Sequence, residues 1–345
     1  MSYEALYLHI PFCRSKCAYC DFDSRAFDAC SLDVAIDTYL ESLVARLDTH
    51  GRAGDLRDIR TVYVGGGTPS LLGARLVHLV ERVRTWCAPV EFTCEANPES
   101  FTPELAEGLR RAGVTRISLG VQSLNTAELA VLGRIHSADE ACAAVSLAKS
   151  AGFSTSADLM CGLPGQTLES WRATLTRLLE LNPDHVSVYP LQLEEGTLLA
   201  VREEAGEIAV PDEDFQAACM DLAADLLAAH GYTRYEVASY AKPGHRCQHN
   251  IAYWTGKAYL GLGRSAASMC PQRVDEAGDH AAPGRVRTKQ LDDAGTEFDC
   301  EALTAREACA EDLMLVCRMT DGIPAALLER ATVHIPHDEV LGACE

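Results

Sequence analysis

The sequence predicts an α/β protein: a partial (β/α)6 barrel of the TIM type over residues 1–195, followed by a smaller C-terminal α+β region over 196–345. Three observations carry that expectation. Short β-like runs alternate with amphipathic helical stretches through roughly the first 190 residues. Polar or glycine-rich features collect at the C-terminal end of one run after another. Beyond about residue 195 the alternation stops and the pattern becomes mixed.

The strand-like runs are Ala5–Ile10, Thr61–Val64, Val90–Cys94, Arg116–Val121, Thr155–Met160 and His185–Tyr189. The helical stretches between them are Val34–Leu47, Ala74–Thr85, Pro103–Arg111, Ala138–Ala151 and Leu168–Leu181. Thr102-Pro103-Glu104 reads as an N-cap, a first-turn proline and an acidic first turn, and Gly113 and Gly152 follow helix ends. Such alternation implies parallel strands with right-handed crossovers. Either a doubly wound sheet or a barrel satisfies it, and the strand-end features decide. Cys13 follows the first run, Gly65-Gly66-Gly67-Thr68-Pro69 the second and Glu95 the third; Gln122 ends the fourth, and Asp158 lies late in the fifth. A barrel gathers all those ends at one mouth, whereas a doubly wound sheet offers one crevice. Further on, the pattern predicts a helix at Asp212–His230, a mixed segment over Tyr232–Ser268 and a charged loop or hairpin over 271–299. A helix at Thr304–Met319 follows. The C-terminal region is expected to cover the mouth.

Composition narrows the function. The 30 Lys+Arg stand against 50 Asp+Glu, a net charge of −20, which argues against nonspecific binding to nucleic acid or anionic membranes. No basic-then-apolar segment opens the chain, and no apolar run reaches the ~18 residues of a membrane span. A reducing cytoplasm suits the 15 cysteines; several, such as Cys142, Cys161 and Cys219, lie in apolar runs where a buried thiol is the default.

Three cysteines stand apart, in Leu8-His-Ile-Pro-Phe-Cys-Arg-Ser-Lys-Cys-Ala-Tyr-Cys-Asp-Phe22. The C-x3-C-x2-C spacing of Cys13, Cys17 and Cys20 lets three thiolates on one tight loop hold three corners of an iron–sulfur cubane. The fourth iron is then open to a substrate or cofactor. Most iron–sulfur and zinc sites take four protein donors, so a zinc site completed by His9 or Asp21 is the competing reading. No second C-x2-C or H-x3-H pair completes a usual zinc module.

Further segments extend the pattern: Gly65–Ser70, Glu95-Ala-Asn-Pro98, Ser118-Leu-Gly-Val-Gln-Ser123, Asp158-Leu-Met-Cys-Gly-Leu-Pro-Gly-Gln-Thr167 and His249-Asn-Ile-Ala-Tyr-Trp254. With the cysteine loop they resemble the radical S-adenosylmethionine (SAM) superfamily, in its coproporphyrinogen-dehydrogenase-like branch, over nearly the whole chain. The resemblance implies a [4Fe–4S] cluster on Cys13, Cys17 and Cys20, with SAM on the open iron. One-electron reduction of such a cluster cleaves SAM to methionine and a 5′-deoxyadenosyl radical, while the protein binds, orients and shields. It also implies SAM contacts from Tyr7, Tyr19, Gly66, Gly67, Thr68, Glu95, Gln122, Arg134 and Asp158, with Gln192 and Ala267 at two weaker positions. The glycines allow close backbone approach, the two acids suit ribose hydroxyls or the amino group, and Arg134 suits a carboxylate. Taken singly, the glycines also read as a tight turn, the tyrosines as packing residues and the acids as solvated strand ends.

Within the branch, coproporphyrinogen dehydrogenases carry a further cysteine two residues after the third cluster cysteine, where this chain has Phe22, and an N-terminal extension. Cys-Asp-Phe with a downstream His-Asn-x-x-Tyr-Trp is instead similar to the haem-chaperone subfamily. That likeness implies haem binding, delivery to haem-accepting apoproteins and an electron donor for the cluster. His249 is the haem-ligand candidate, with Tyr253 and Trp254 to pack on the macrocycle and His245 and Cys247 as nearby donors; a core His-Asn pair bracing a turn is the alternative. The enzyme alternatives are an oxygen-independent coproporphyrinogen III oxidase, decarboxylating to protoporphyrinogen IX, and a radical SAM methyltransferase of the same branch. Two departures stand out. The subfamily's Gly-Leu-Gly-x-Gly-Ala-His-Ser is Gly261-Leu-Gly-Arg-Ser-Ala-Ala-Ser268 here, and the winged-helix-like end of the subfamily reads as shortened.

Overall fold

The computed structural model of the chain describes residues 2–27, 31–271 and 284–335. Six parallel strands form the middle of one sheet, side by side in chain order: β1 (Ala5–Ile10), β2 (Thr61–Gly66), β3 (Glu91–Ala96), β4 (Arg116–Gln122), β5 (Ser154–Cys161) and β6 (His185–Pro190). The helices of the crossovers are α1 (Leu32–Ala53), α2 (Ala74–Arg84), α3 (Pro103–Ala112), α4 (Thr126–Val131), α5 (Ala138–Ser150) and α6 (Leu168–Glu180). The short α4, capped by the Asn125 side chain, was not legible in the apolar pattern because six residues make less than two turns.

Period-2 patterning within the strands decides where the core lies. Leu6, Leu8, Val62, Val64, Phe92, Ile117, Leu119, Ala157, Leu159, Val186 and Val188 point to the helices and pack with Leu43, Leu79, Leu109, Val145 and Leu175. The alternate positions Tyr63, Glu95, Arg116, Ser118, Asp158, His185 and Ser187 line a cavity on the concave face. The apolar core is therefore the layer between sheet and helices, and the lumen is polar. Burying each Leu-sized side chain in that layer contributes about 1.5–3 kcal/mol. Local signals agree with the pattern. Thr102 Oγ1 accepts from the Leu105 amide at 3.2 Å, Ser137 and Thr167 form capping boxes, and Gly113 ends α3 at φ +97°.

The barrel does not close on itself, and the C-terminal region continues its sheet in both directions. Beside β6 lie an antiparallel β7 (Ser239–Ala241) and the edge pair Thr233–Arg234. Beside β1 lie a parallel β8 (Tyr259–Leu262), then β9 (Ala267–Pro271), β10 (Arg285–Gln290) and β11 (Phe298–Leu303) as an antiparallel set. The segment 271–299 thus contains strand structure, with 272–283 outside the described residues. The remaining helices are α7 (Leu198–Glu204), α8 (Glu213–Ala229), α9 (Gln248–Trp254), α10 (Ala305–Val316) and α11 (Ala325–His334).

Of the C-terminal region expected at the mouth, Arg264 and Ser265 reach the cysteine loop, whereas α9 sits at the opposite end. Glu91, the first residue of β3, accepts the backbone N–H groups of Gln248 and His249 at 3.0 and 2.9 Å. Thr61, the first residue of β2, meets His249 Nδ1 at 3.0 Å. A carboxylate at the start of a strand satisfies the orphan donors of the helix's first turn, so α9 becomes the barrel's floor.

Candidate functional site

The cysteine loop leaves β1 and is held on both sides. Phe12–Cys13 pairs with Arg25–Ala26, the Ala18 amide donates to Leu132 O at 2.9 Å, and the Leu199 amide donates to Ala18 O at 2.7 Å. Cys13 is buried, and Cys17 and Cys20 are partly buried. Thr68 Oγ1 lies 3.6 Å from Cys13 Sγ, and Arg134 Nη1 lies 3.4 Å from Cys17 Sγ. The far end of the loop is tied to the C-terminal region: Asp23 Oδ2 accepts from Arg264 Nε at 2.7 Å and from Ser265 Oγ at 2.5 Å. Ser265 has φ +59°. That left-handed backbone explains why a glycine is usual at this position, and the Asp23 hydrogen bond offsets a conformational cost of about 1–2 kcal/mol.

From this loop a cavity of about 320 Å³ runs down the lumen. Cys13, Cys17, Cys20, Tyr19, Gly66, Gly67, Thr68, Glu95, Gln122, Arg134 and Asp158 all line it. The backbone is shaped for close approach. A Cβ on Gly67 would stand 2.6 Å from Phe12 O and 2.9 Å from Cys13 Sγ. Gln122 has φ +64° at a register shift between β4 and β5, a bulge that re-aims its side chain. Arg134 Nη2 donates to Gly120 O at 2.8 Å and to Asn97 Oδ1 at 3.0 Å, and Asn97 Nδ2 donates to Thr68 Oγ1 at 3.1 Å. Asn97, quoted within Glu95–Pro98 but given no role from sequence, is a positioning residue.

The acids are strongly perturbed. Glu95 accepts from Tyr63 Oη at 2.7 Å and from the Gly66 amide at 3.0 Å. Burial, reinforced by the charge of Asp158, pushes its carboxyl up to about 7. Asp158 accepts from Ser118 Oγ at 3.0 Å and is also pushed up by burial. Burial raises the Tyr19 phenol.

Two expected site residues lie elsewhere. Tyr7 Oη meets His9 Nδ1 at 3.0 Å, and Tyr7 lines a side cavity with Tyr253, Trp254 and Tyr259. His249 is buried at 1% exposure, with Nδ1 on Thr61 Oγ1 and Nε2 on Tyr253 Oη, each at 3.0 Å. Burial pushes its pKa down to about 3, and neither ring nitrogen is open in this conformation. Of the two candidates for a fourth zinc donor, His9 is committed to Tyr7 Oη and to Asp23 O, each at 3.0 Å. The lumen residues Arg116, Ser118, His185 and Ser187 were given no role from sequence. Their signal was polar residues at period 2 in otherwise apolar strands.

A sheet of parallel βα units with a three-thiol loop at its C-terminal mouth defines the class as an open (β/α) barrel with a cysteine site at its mouth. Residues 7–178 match the Radical SAM superfamily. The chain is 42% identical to the heme chaperone HemW of Escherichia coli over 267 residues, 76% of this chain and 69% of that one. It is 37% identical to the Mycobacterium tuberculosis HemW over 342 residues, 94% of this chain and 84% of that one. Its fold matches the solved coproporphyrinogen III oxidase HemN of Escherichia coli with a TM-score of 0.78 at 23% identity, covering 98% of this chain and 81% of that one. The chain belongs to the radical SAM superfamily and, within it, to the HemW family.

Membership implies a [4Fe–4S] cluster and SAM, and the residues present fit both. The donor set is three thiols on one loop, the Gly67 cradle stands against Cys13, and Arg134 Nε is a buried donor without an acceptor. No helix among the described residues is long and apolar enough to cross a membrane.

Proposed function

We propose that the chain is a haem chaperone of the cytoplasm: it binds haem and hands it to haem-accepting apoproteins, with a [4Fe–4S] cluster and SAM at the barrel mouth. The observation that carries this reading is likeness to heme chaperones over 94% of the chain. Cys13, Cys17 and Cys20 hold the cluster, and Gly66, Gly67, Thr68, Glu95, Gln122, Arg134, Asp158 and Tyr19 surround SAM. Bound there, the two groups supply one-electron chemistry, which calls for an electron donor. The chain's own part is electrostatic and steric. Arg134 sets a cation against Cys17 and keeps Nε for a ligand acceptor. Phe22 and Tyr189, 61% and 42% exposed, both line the cavity and offer a flat apolar ligand two aromatic surfaces.

The deciding experiment presents haem and coproporphyrinogen III anaerobically to one reconstituted sample. Haem binding without formation of protoporphyrinogen IX is expected; SAM-dependent turnover would replace the chaperone reading with the oxidase. His249 serves as a haem ligand only when Tyr253 releases Nε2. Tyr253→Phe frees that nitrogen, so it should raise haem affinity and strengthen a low-spin Soret signature that His249→Ala removes. Identical haem spectra in both variants would take His249 out of the site.

A further inference from the structure

The floor of the lumen holds a charge that makes no hydrogen bond or ion pair with the cluster loop or the SAM positions, although its field reaches Asp158. Arg116 opens β4, is 3% exposed and lines the cavity. Both of its hydrogen bonds leave from Nη1, to His245 O at 3.0 Å and Ser154 Oγ at 3.4 Å. Among the described residues its Nε and Nη2 have no acceptor, and no carboxylate pairs with it. Glu91, the nearby acid, is already engaged. Its Oε1 takes the His249 amide at 2.9 Å and the Cys247 thiol at 3.7 Å, and its Oε2 takes the Gln248 amide at 3.0 Å. Asn250 reaches the same cavity from α9, and its side-chain amide has no protein partner among the described residues. The neighbouring His185 offers no free nitrogen: Nδ1 meets Ser156 Oγ at 2.8 Å and Nε2 meets Tyr235 Oη at 2.9 Å.

Nε and Nη2 are the two parallel donors of one guanidinium edge, and that fork matches the two oxygens of a carboxylate. The edge is buried, so water screens it little and a fitted anion gains more than it would at a surface. The position lies below the mouth. Gln122 is six residues further along β4, roughly 20 Å at the rise of a parallel strand, while Glu95 and Asp158, paired with Ser118 and Gly120, stand between the two.

We propose that the floor of the lumen is a carboxylate-binding subsite, anchored by the Nε–Nη2 edge of Arg116 and assisted by the amide of Asn250. The ligand is either a small free carboxylate or the carboxylate-terminated arm of a larger molecule entering from the mouth. The subsite stands independently of the haem reading.

The test titrates cluster-reconstituted, SAM-loaded protein with sodium propionate by calorimetry, with inorganic phosphate as the competing anion. Wild type should bind one propionate; Arg116→Gln should weaken it at least tenfold, and Arg116→Lys, which keeps the charge and loses the fork, should fall between. Asn250→Asp sets a carboxylate against the arginine and should abolish binding while leaving Arg116 in place. Cluster absorbance and SAM affinity report whether each variant is folded. A second arm compares haem with its dimethyl ester on SAM-free protein. Haem affinity that depends on Arg116, and loses that dependence in the ester, assigns the carboxylate to a larger ligand's arm; independence assigns it to a free carboxylate. Equal propionate affinity in wild type and Arg116→Gln, no propionate binding by folded wild type, or tighter binding of phosphate than of propionate overturns the proposal.

Discussion

At the scale of single residues, Glu95 is the group whose state changes near neutral pH. Its folded pKa is raised above the ordinary carboxylate value to about 7. Its stabilising contribution is therefore complete below the unfolded pKa and is lost as pH rises through about 7. Ligand binding runs the other way, because the ionised carboxylate is the form that favours a sulfonium or ammonium cation. SAM affinity should rise several-fold between pH 6 and pH 8, measured by equilibrium binding to the reconstituted protein. Glu95→Gln should bind more weakly and lose most of that slope, which separates Glu95 from the titration of SAM's own amino group; parallel profiles would discard the assignment. Ser265 shows the same economy in another form. It keeps a backbone conformation suited to glycine because its hydroxyl also ties down Asp23.

At the scale of elements, the turn after β2 has a steric limit set by the cysteine loop. Gly67→Ala forces a methyl against Phe12 O and Cys13 Sγ. The variant should fold, since the sheet–helix core is untouched, yet reconstitute well below about four irons per chain by iron and sulfide analysis. A Leu79→Ala change in α2 acts conversely: about 2–5 kcal/mol of stability is lost, with the mouth unaltered. Element patterning explains what could be read in advance. The six parallel strands and five of the helices between them announced themselves through apolar spacing, caps and glycine stops. The cysteine trio and the Gly66–Thr68 turn were legible because their spacing is unusual. The floor was not. The partners of His249 are Thr61, far away in sequence, and Tyr253 on its own short helix, and no local pattern reveals that both its nitrogens are taken. Nor did β10 and β11 stand out, because their charged, partly exposed residues lack the apolar run that marked β1 to β6, and β8 is apolar but only four residues long.

At the scale of the whole molecule, the two halves share one sheet, and the cysteine loop depends on both. Its inner end belongs to β1, and its outer end is held by Arg264 and Ser265. Asp23→Asn should leave the barrel's melting temperature nearly unchanged but speed oxidative loss of the cluster, followed as decay of its visible absorbance in air. Equal decay rates in wild type and variant would show that the C-terminal anchor is dispensable. That anchor also imposes an order on biosynthesis. Asp23 and Arg264 are 241 positions apart. At about 5–20 residues per second, the ribosome needs roughly ten to fifty seconds to supply the second after the first. During that interval three thiols are already outside the exit tunnel on a loop with one free end. Metal loading that waits for the finished chain meets a clamped loop, whereas loading during translation must capture an open one.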